Sequence, residues 1–155
     1  MRVEPLKKSF GAKVYDLRIP ELGTEQLDAI YSLWLKYALL IFPEQNLNND
    51  QQIKFAKNFG ALEFDLSPIS NVRGDGSIRD ANDDDIVKSL RGNMEWHHDS
   101  TYMPIQAKGA VFTAHTVPSK GGETGWADMR AAYDNLGENM KNKIEDLSAF
   151  HSYEW

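Results

Sequence analysis

The chain has 155 residues, 41% of them hydrophobic and 26% charged, which suits one soluble globular domain with its own core. A formal net charge of −6 argues against nucleic acid or an anionic membrane as a partner held by bulk electrostatics. Cysteine is absent, which excludes disulfides, thiolate metal sites and cysteine nucleophiles, and neither a signal-like apolar stretch nor a membrane-length apolar run is visible, so a cytoplasmic location is expected.

Residues 12–17 read as a short strand, because Val14 and Tyr15 favour extended backbone. Pro20 and Gly23 break the chain, and Thr24 is the expected N-cap of a helix. Leu27, Ile30, Tyr31, Trp34, Tyr37 and Ala38 recur at helical spacing as one apolar stripe. Residues 38–42 predict a buried strand closed by Pro43. Asn49 and Gln52 form a capping-box-like pair for a second helix, with Gly60 as its stop. Residues 71–90 read as a polar surface loop with a solvated acidic cluster at Asp83, Asp84 and Asp85 and a short helical piece near 86–90. Residues 109–117 predict a strand, 118–122 a turn with tandem glycines, and 124–127 a short extended piece. Helices are expected over 129–136 and 138–146, and a strand over 147–155. This order points to an α+β fold, one domain over residues 1–155, built on an antiparallel sheet. The apolar ending at Phe150, Tyr153 and Trp155 suggests a fold that continues past this chain.

The chemistry concentrates in Trp-His-His-Asp at 96–99. In an extended segment His97 and Asp99 share a face while His98 points the other way. An imidazole and a carboxylate so placed are two of the three ligands of the 2-His-1-carboxylate triad that holds non-haem Fe(II). A zinc hydrolase at the same pair is open on ligand chemistry alone. His115, inside the expected strand, reads as structural, and nothing in the spacing of His151 brings it to the site. Trp96 reads as packing.

Several segments carry a resemblance, in this order along the chain. They are LLIFPEQ at 39–45, QQIKFAKNFG at 51–60, ISNV at 69–72, GNMEWHHDS at 92–100 and GGETGWADMRAAYD at 121–134. Together they resemble the Fe(II)/2-oxoglutarate-dependent dioxygenase family that includes taurine dioxygenase and 2,4-dichlorophenoxyacetate dioxygenase. The resemblance implies the N-terminal part of a double-stranded β-helix, or jelly roll, with flanking helices. It implies His97 and Asp99 as Fe(II) ligands, Thr124 as a contact to 2-oxoglutarate, and Asn93 and Ser100 near the primary substrate. The family's second iron histidine, and the arginine that pairs with 2-oxoglutarate, fall beyond the position matching Trp155, so the barrel is expected to be incomplete in this chain.

Such a site couples decarboxylation of 2-oxoglutarate to hydroxylation of a substrate C–H by O2, and the facial triad leaves three positions for the co-substrates. Residues 69–72 and 129–134 resemble the 2,4-dichlorophenoxyacetate branch, whereas the substrate-binding histidine and tyrosine of the taurine type have no counterpart near Asp65 and Pro68. A small anionic acid is therefore expected as substrate, aryloxyalkanoate-like or a sulfonate. The alternatives are a non-catalytic remnant, a metal-binding or interaction protein on the same half-fold, or a homo-oligomer in which a second chain completes the barrel.

Overall fold

A computed structural model describes residues 1–6 and 8–151. It is an α+β arrangement: strands β1 (Arg2–Pro5), β2 (Ala12–Tyr15) and β3 (Leu40–Ile41), and helices α1 (Thr24–Tyr37), α2 (Asn49–Lys57), α3 (Asp85–Gly92), α4 (Met129–Asp134) and α5 (Glu138–Ile144). Two compact units emerge. One comprises Met1–Leu62 with Val111–Ala149; the other comprises Glu63–Ala110 with, among the described residues, Phe150 and His151.

In the first unit the sheet order is β1-β2-β3. β1 runs antiparallel to β2, pairing Val3 with Val14, and β3 runs parallel to β2, pairing Ala12 with Leu40. The sheet is thus mixed rather than antiparallel. Ala12 and Val14 are buried while Lys13 and Tyr15 alternate outward, the period-two pattern that marks a strand with one covered face. β1 was not expected, since its charged residues and Pro5 hide a strand whose apolar content is Val3. Between strands, Gly11 takes φ +92°, a conformation that any side chain would strain, and its N–H donates to the Tyr37 carbonyl.

Helix α1 begins one residue earlier than capping logic suggests. Gly23 is the N-cap, and Gln26 reaches back to accept from its N–H at 3.1 Å. Ala38, expected at the start of a strand, adopts φ +59° and ends α1, leaving β3 two residues long and half exposed at the sheet edge. Helix α2 uses the box one residue earlier too: Asn48 Oδ1 accepts from Gln51 N–H, and Gln51 Oε1 accepts from Asn48 N–H. The stripe of α1 and the face of α2 meet at a core of Ile19, Ile30, Leu47 and Phe55. Phe55 packs edge-on to Phe42 and Phe59, at centroid distances of 5.9 and 5.1 Å.

One amide ties this core together. Gln45 Oε1 accepts from Ile19 N–H, and Gln45 Nε2 donates to the carbonyls of Leu17 and Pro43. Later in the same unit, Gly121 and Gly122 take φ +77° and +75°, forming the expected glycine turn. Asp128 then caps α4 by accepting from the N–H groups of Arg130 and Ala131. The strand expected over 109–117 does not form: the segment has no regular structure and bends at His115, and Gln52 Nε2 instead donates to the Val111 carbonyl. Residues 124–127 are likewise unpaired, as are 147–151; the rest of that last expected strand lies outside the described residues. A strand needs a neighbour, and propensity alone supplies none.

In the second unit the loop at 71–90 is more organised than its polarity suggests. Val72 and Ile78 form an antiparallel bridge, and α3 starts at an Asp84 cap. Asp84 is not a solvated acid: its carboxylate receives both Arg73 and Arg79. No helix among the described residues is long and apolar enough to cross a membrane.

Two stability outcomes follow. Gln45→Ala leaves the Ile19 N–H and two carbonyls to find other partners and should cost about 1–3 kcal/mol in urea unfolding. The Asp128 carboxyl is held below its ordinary value by the Ala131 N–H, against a desolvation cost, with help from the Ser9 hydroxyl and Arg130. A depressed carboxyl stabilises the fold above its unfolded pKa and loses that contribution as pH falls through the folded pKa. The acid limb of the stability curve, measured below about pH 4, should therefore be shallower in Asp128→Asn than in the parent.

Candidate metal-binding pair

The site is built in the second unit, where α3 ends and the chain turns. Asn93 is the C-cap of α3, its N–H donating to the carbonyls of Ser89 and Arg91. Residues 97 and 98 follow in irregular backbone and lead into a turn at 99–102. The extended strand expected for 96–99 is therefore absent, yet His97 Nε2 and Asp99 Oδ1 still lie 3.2 Å apart. The turn, not strand alternation, produces this approach. Ser100 follows with φ +59°, in the left-handed region, and its Oγ donates to Glu63 Oε2 at 3.3 Å.

The proton on His97 follows from its other contact. Nδ1 lies 2.7 Å from the Glu95 carbonyl oxygen, which can only accept, so Nδ1 carries the hydrogen. Nε2 is left facing a carboxylate oxygen. A lone pair and an anionic oxygen at 3.2 Å need a positive partner between or beside them, a proton or a metal ion. Two donors each about 2.1 Å from one ion and at right angles stand about 3.0 Å apart, so the observed spacing suits adjacent coordination positions. Both side chains are roughly half exposed or more, which leaves the pair open to an ion from solvent. The carbonyl behind Nδ1 is the outer-shell support that metal-binding histidines commonly use.

Other residues fall elsewhere. His98 turns Nδ1 to the Asp99 carbonyl and the Gln106 amide, at 2.8 Å each. Trp96 is 74% exposed rather than packed. Asn93 and Thr124 are exposed, Asn93 beside the pair in sequence and Thr124 in the first unit, just after the Gly121–Gly122 turn. His115 also lies in the first unit, exposed at the rim of an open cavity of about 730 Å³ lined by residues 46–50. Among the described residues no group of three or more His, Cys, Asp or Glu side chains is arranged to hold a metal ion. The Arg73–Asp84–Arg79 cluster upstream of the pair was missed in the sequence; two arginines near an acidic cap were its faint signal.

Residues 2–155 match the family model described as taurine catabolism dioxygenase TauD, TfdA family. This chain belongs to that family. The (S)-phenoxypropionate/alpha-ketoglutarate-dioxygenase of Sphingobium herbicidovorans is 54% identical over 151 residues, covering 97% of the chain and 53% of that relative. The alpha-ketoglutarate-dependent 2,4-dichlorophenoxyacetate dioxygenase of Cupriavidus pinatubonensis is 36% identical, covering 95% and 56%. The crystal structure of AAD-2 in complex with Mn(II) and N-oxalylglycine superposes with a TM-score of 0.84 at 35% identity, covering 95% of this chain and 55% of that one. The chain thus spans about half the length of the TauD, TfdA relatives it matches.

The turn geometry makes a local forecast. A non-glycine residue in the left-handed region costs roughly 1–2 kcal/mol, and a β-branched one more. Ser100→Gly should therefore hold or raise stability in urea unfolding, whereas Ser100→Val should lower it by at least about 1 kcal/mol.

Proposed function

We propose that this chain forms the N-terminal portion, within one domain, of an Fe(II)/2-oxoglutarate-dependent dioxygenase that hydroxylates a small anionic organic acid. The observation that carries the reading is the His97–Asp99 pair, 3.2 Å apart with the histidine tautomer set for metal binding through Nε2. The completed fold in this reading is a double-stranded β-helix in a cytoplasmic enzyme. The relatives' second half supplies the remaining histidine, the arginine for 2-oxoglutarate and the outstanding strands. Exposed apolar side chains such as Phe112 and Val117, in a segment without regular structure, are in keeping with that.

His97 and Asp99 would hold Fe(II), which supplies, with 2-oxoglutarate and O2, the oxidation that yields succinate, CO2 and a hydroxylated substrate. The Glu95 carbonyl keeps the proton on His97 Nδ1 and so keeps Nε2 available. Thr124 would donate to a carboxylate oxygen of 2-oxoglutarate, and Asn93 and Ser100 would border the substrate.

An aryloxyalkanoate is favoured as substrate, by the names and identities of the phenoxypropionate and 2,4-dichlorophenoxyacetate enzymes. Sulfate esters or sulfonates come second, on the 28% identity to the alkylsulfatase of Acinetobacter baylyi. Hydroxylation at the carbon bearing the ether oxygen gives a hemiketal, which collapses to a phenol and a 2-oxo acid.

The gene product carrying this segment, assayed with Fe(II), 2-oxoglutarate, O2 and an aryloxypropionate, should form succinate and phenol in step. His97→Ala or Asp99→Ala should abolish both. The two-donor pair also favours a second reading, a non-catalytic metal-binding protein on the same half-fold. Co(II) binding that depends on His97, with no 2-oxoglutarate consumption, would establish that reading instead. Activity with Zn(II) and none with Fe(II) would overturn the dioxygenase.

A further inference from the structure

Where α2 passes the 3-10 turn at Ile19–Glu21 and the start of α1, the first unit keeps an open cleft of about 270 Å³. Its apolar lining comes from the buried Ile19 and Phe55, the half-buried Leu22 and Leu27, and Pro20. Opposite stand Gln51, Lys54 and Asn58 of α2 and its flank. With Phe55 they recur at i, i+3, i+4 and i+7, the row of one helix face. A helix face turned toward apolar neighbours is ordinarily apolar itself. Here three of the four residues are polar, and a gap remains between the face and the apolar wall.

The donors on this face are not spent on the fold. Lys54 is the one charged residue lining the cleft. Asp50, one turn earlier at a spacing that favours ion pairs, lines the other cavity beside His115. Among the described residues Lys54 Nζ has neither an ion pair nor a hydrogen bond. Gln51 Oε1 accepts from the Asn48 N–H, which leaves both hydrogens on Gln51 Nε2 without a partner among the described residues. Asn58 Nδ2, by contrast, is committed to the carbonyls of Lys54 and Phe55. The cleft thus offers two donors, one of them cationic, beside an apolar wall. An anion with an apolar body matches both. The volume lies just below the roughly 300–1,000 Å³ of sites for drug-sized ligands, which limits the occupant to a smaller molecule.

We propose that this cleft binds a small monocarboxylic acid with an apolar body, of arylalkanoate size. Its carboxylate accepts from Lys54 Nζ and Gln51 Nε2, and its body lies on Leu22 and Leu27. The site belongs to the first unit and does not depend on reading His97 and Asp99 as metal ligands.

Titration of 3-phenylpropionate into the gene product carrying this segment, without metal or 2-oxoglutarate, tests the site by NMR. The Leu22 and Leu27 methyl signals and the Gln51 and Lys54 side-chain signals should shift together and saturate. Acetate lacks the apolar body and 3-phenylpropanamide lacks the charge; each should bind at least about fivefold more weakly. Lys54→Met should weaken the acid by about the same factor and remove the difference between acid and amide, whereas Lys54→Arg should preserve it. Lys57→Met, exposed on the same helix outside the cleft, should change nothing, and binding should persist in His97→Ala. Equal binding of acid and amide by the parent, undiminished affinity in Lys54→Met, or no shift at the cleft would overturn the proposal. So would cleft signals that move with protein concentration instead of with the acid, since a second copy of the chain would then be the occupant.

Discussion

Buried apolar surface is scarce in this chain. Among the described residues the buried hydrophobics are Ala12, Val14, Ile19, Ile30, Leu47 and Phe55, all in the first unit. The five larger side chains contribute about 1.5–3 kcal/mol each when buried, so a handful cannot orient every helix and loop. Directional polar groups take over where burial runs out. Gln45 joins the chain at Leu17, Ile19 and Pro43; Asp128 joins Ser9 to the start of α4; Asp84 joins two arginines to the start of α3. In each case one short side chain satisfies several partners from separate segments.

The same economy shapes the His97–Asp99 pair. His97 and Asp99 are not held by a core or a sheet. A carbonyl behind the imidazole orients the ring, and Asp99 stands 3.2 Å from it in the irregular backbone that follows α3. A pair so exposed has two donors for an ion and open solvent on the remaining sides. That is two of the three donors of a facial triad, in a chain that spans about half the length of its dioxygenase relatives.

Local signals were readable wherever their partners lie within a turn of helix. The stripe of α1, the box before α2, the tandem-glycine turn and the helices at 129–134 and 138–144 all rest on contacts a few residues apart. Errors there were shifts of one or two residues: the caps fell one residue early, at Gly23 and Asn48, and the last two helices stop two residues short of their expected ends. The family segments were readable too, and they led to the His97–Asp99 pair even though the expected strand geometry around it was wrong. Two residues apart, a histidine and an aspartate can meet across a turn as well as on one face of a strand.

Strands and ion pairs followed a different rule. β1 went unseen and residues 109–117 were read as a strand, because pairing depends on a neighbour supplied by distant chain. Asp84 looked solvated because its arginines sit five and eleven residues away, outside any helical or strand period. Residue order was sufficient for the family and the helices, and it proposed His97 and Asp99 as candidate ligands, all from short-range pattern. The strand partners, the Gln45 junction and the Asp84 ion pairs emerged from the folded chain, because each depends on where the backbone goes between residues that no local period connects.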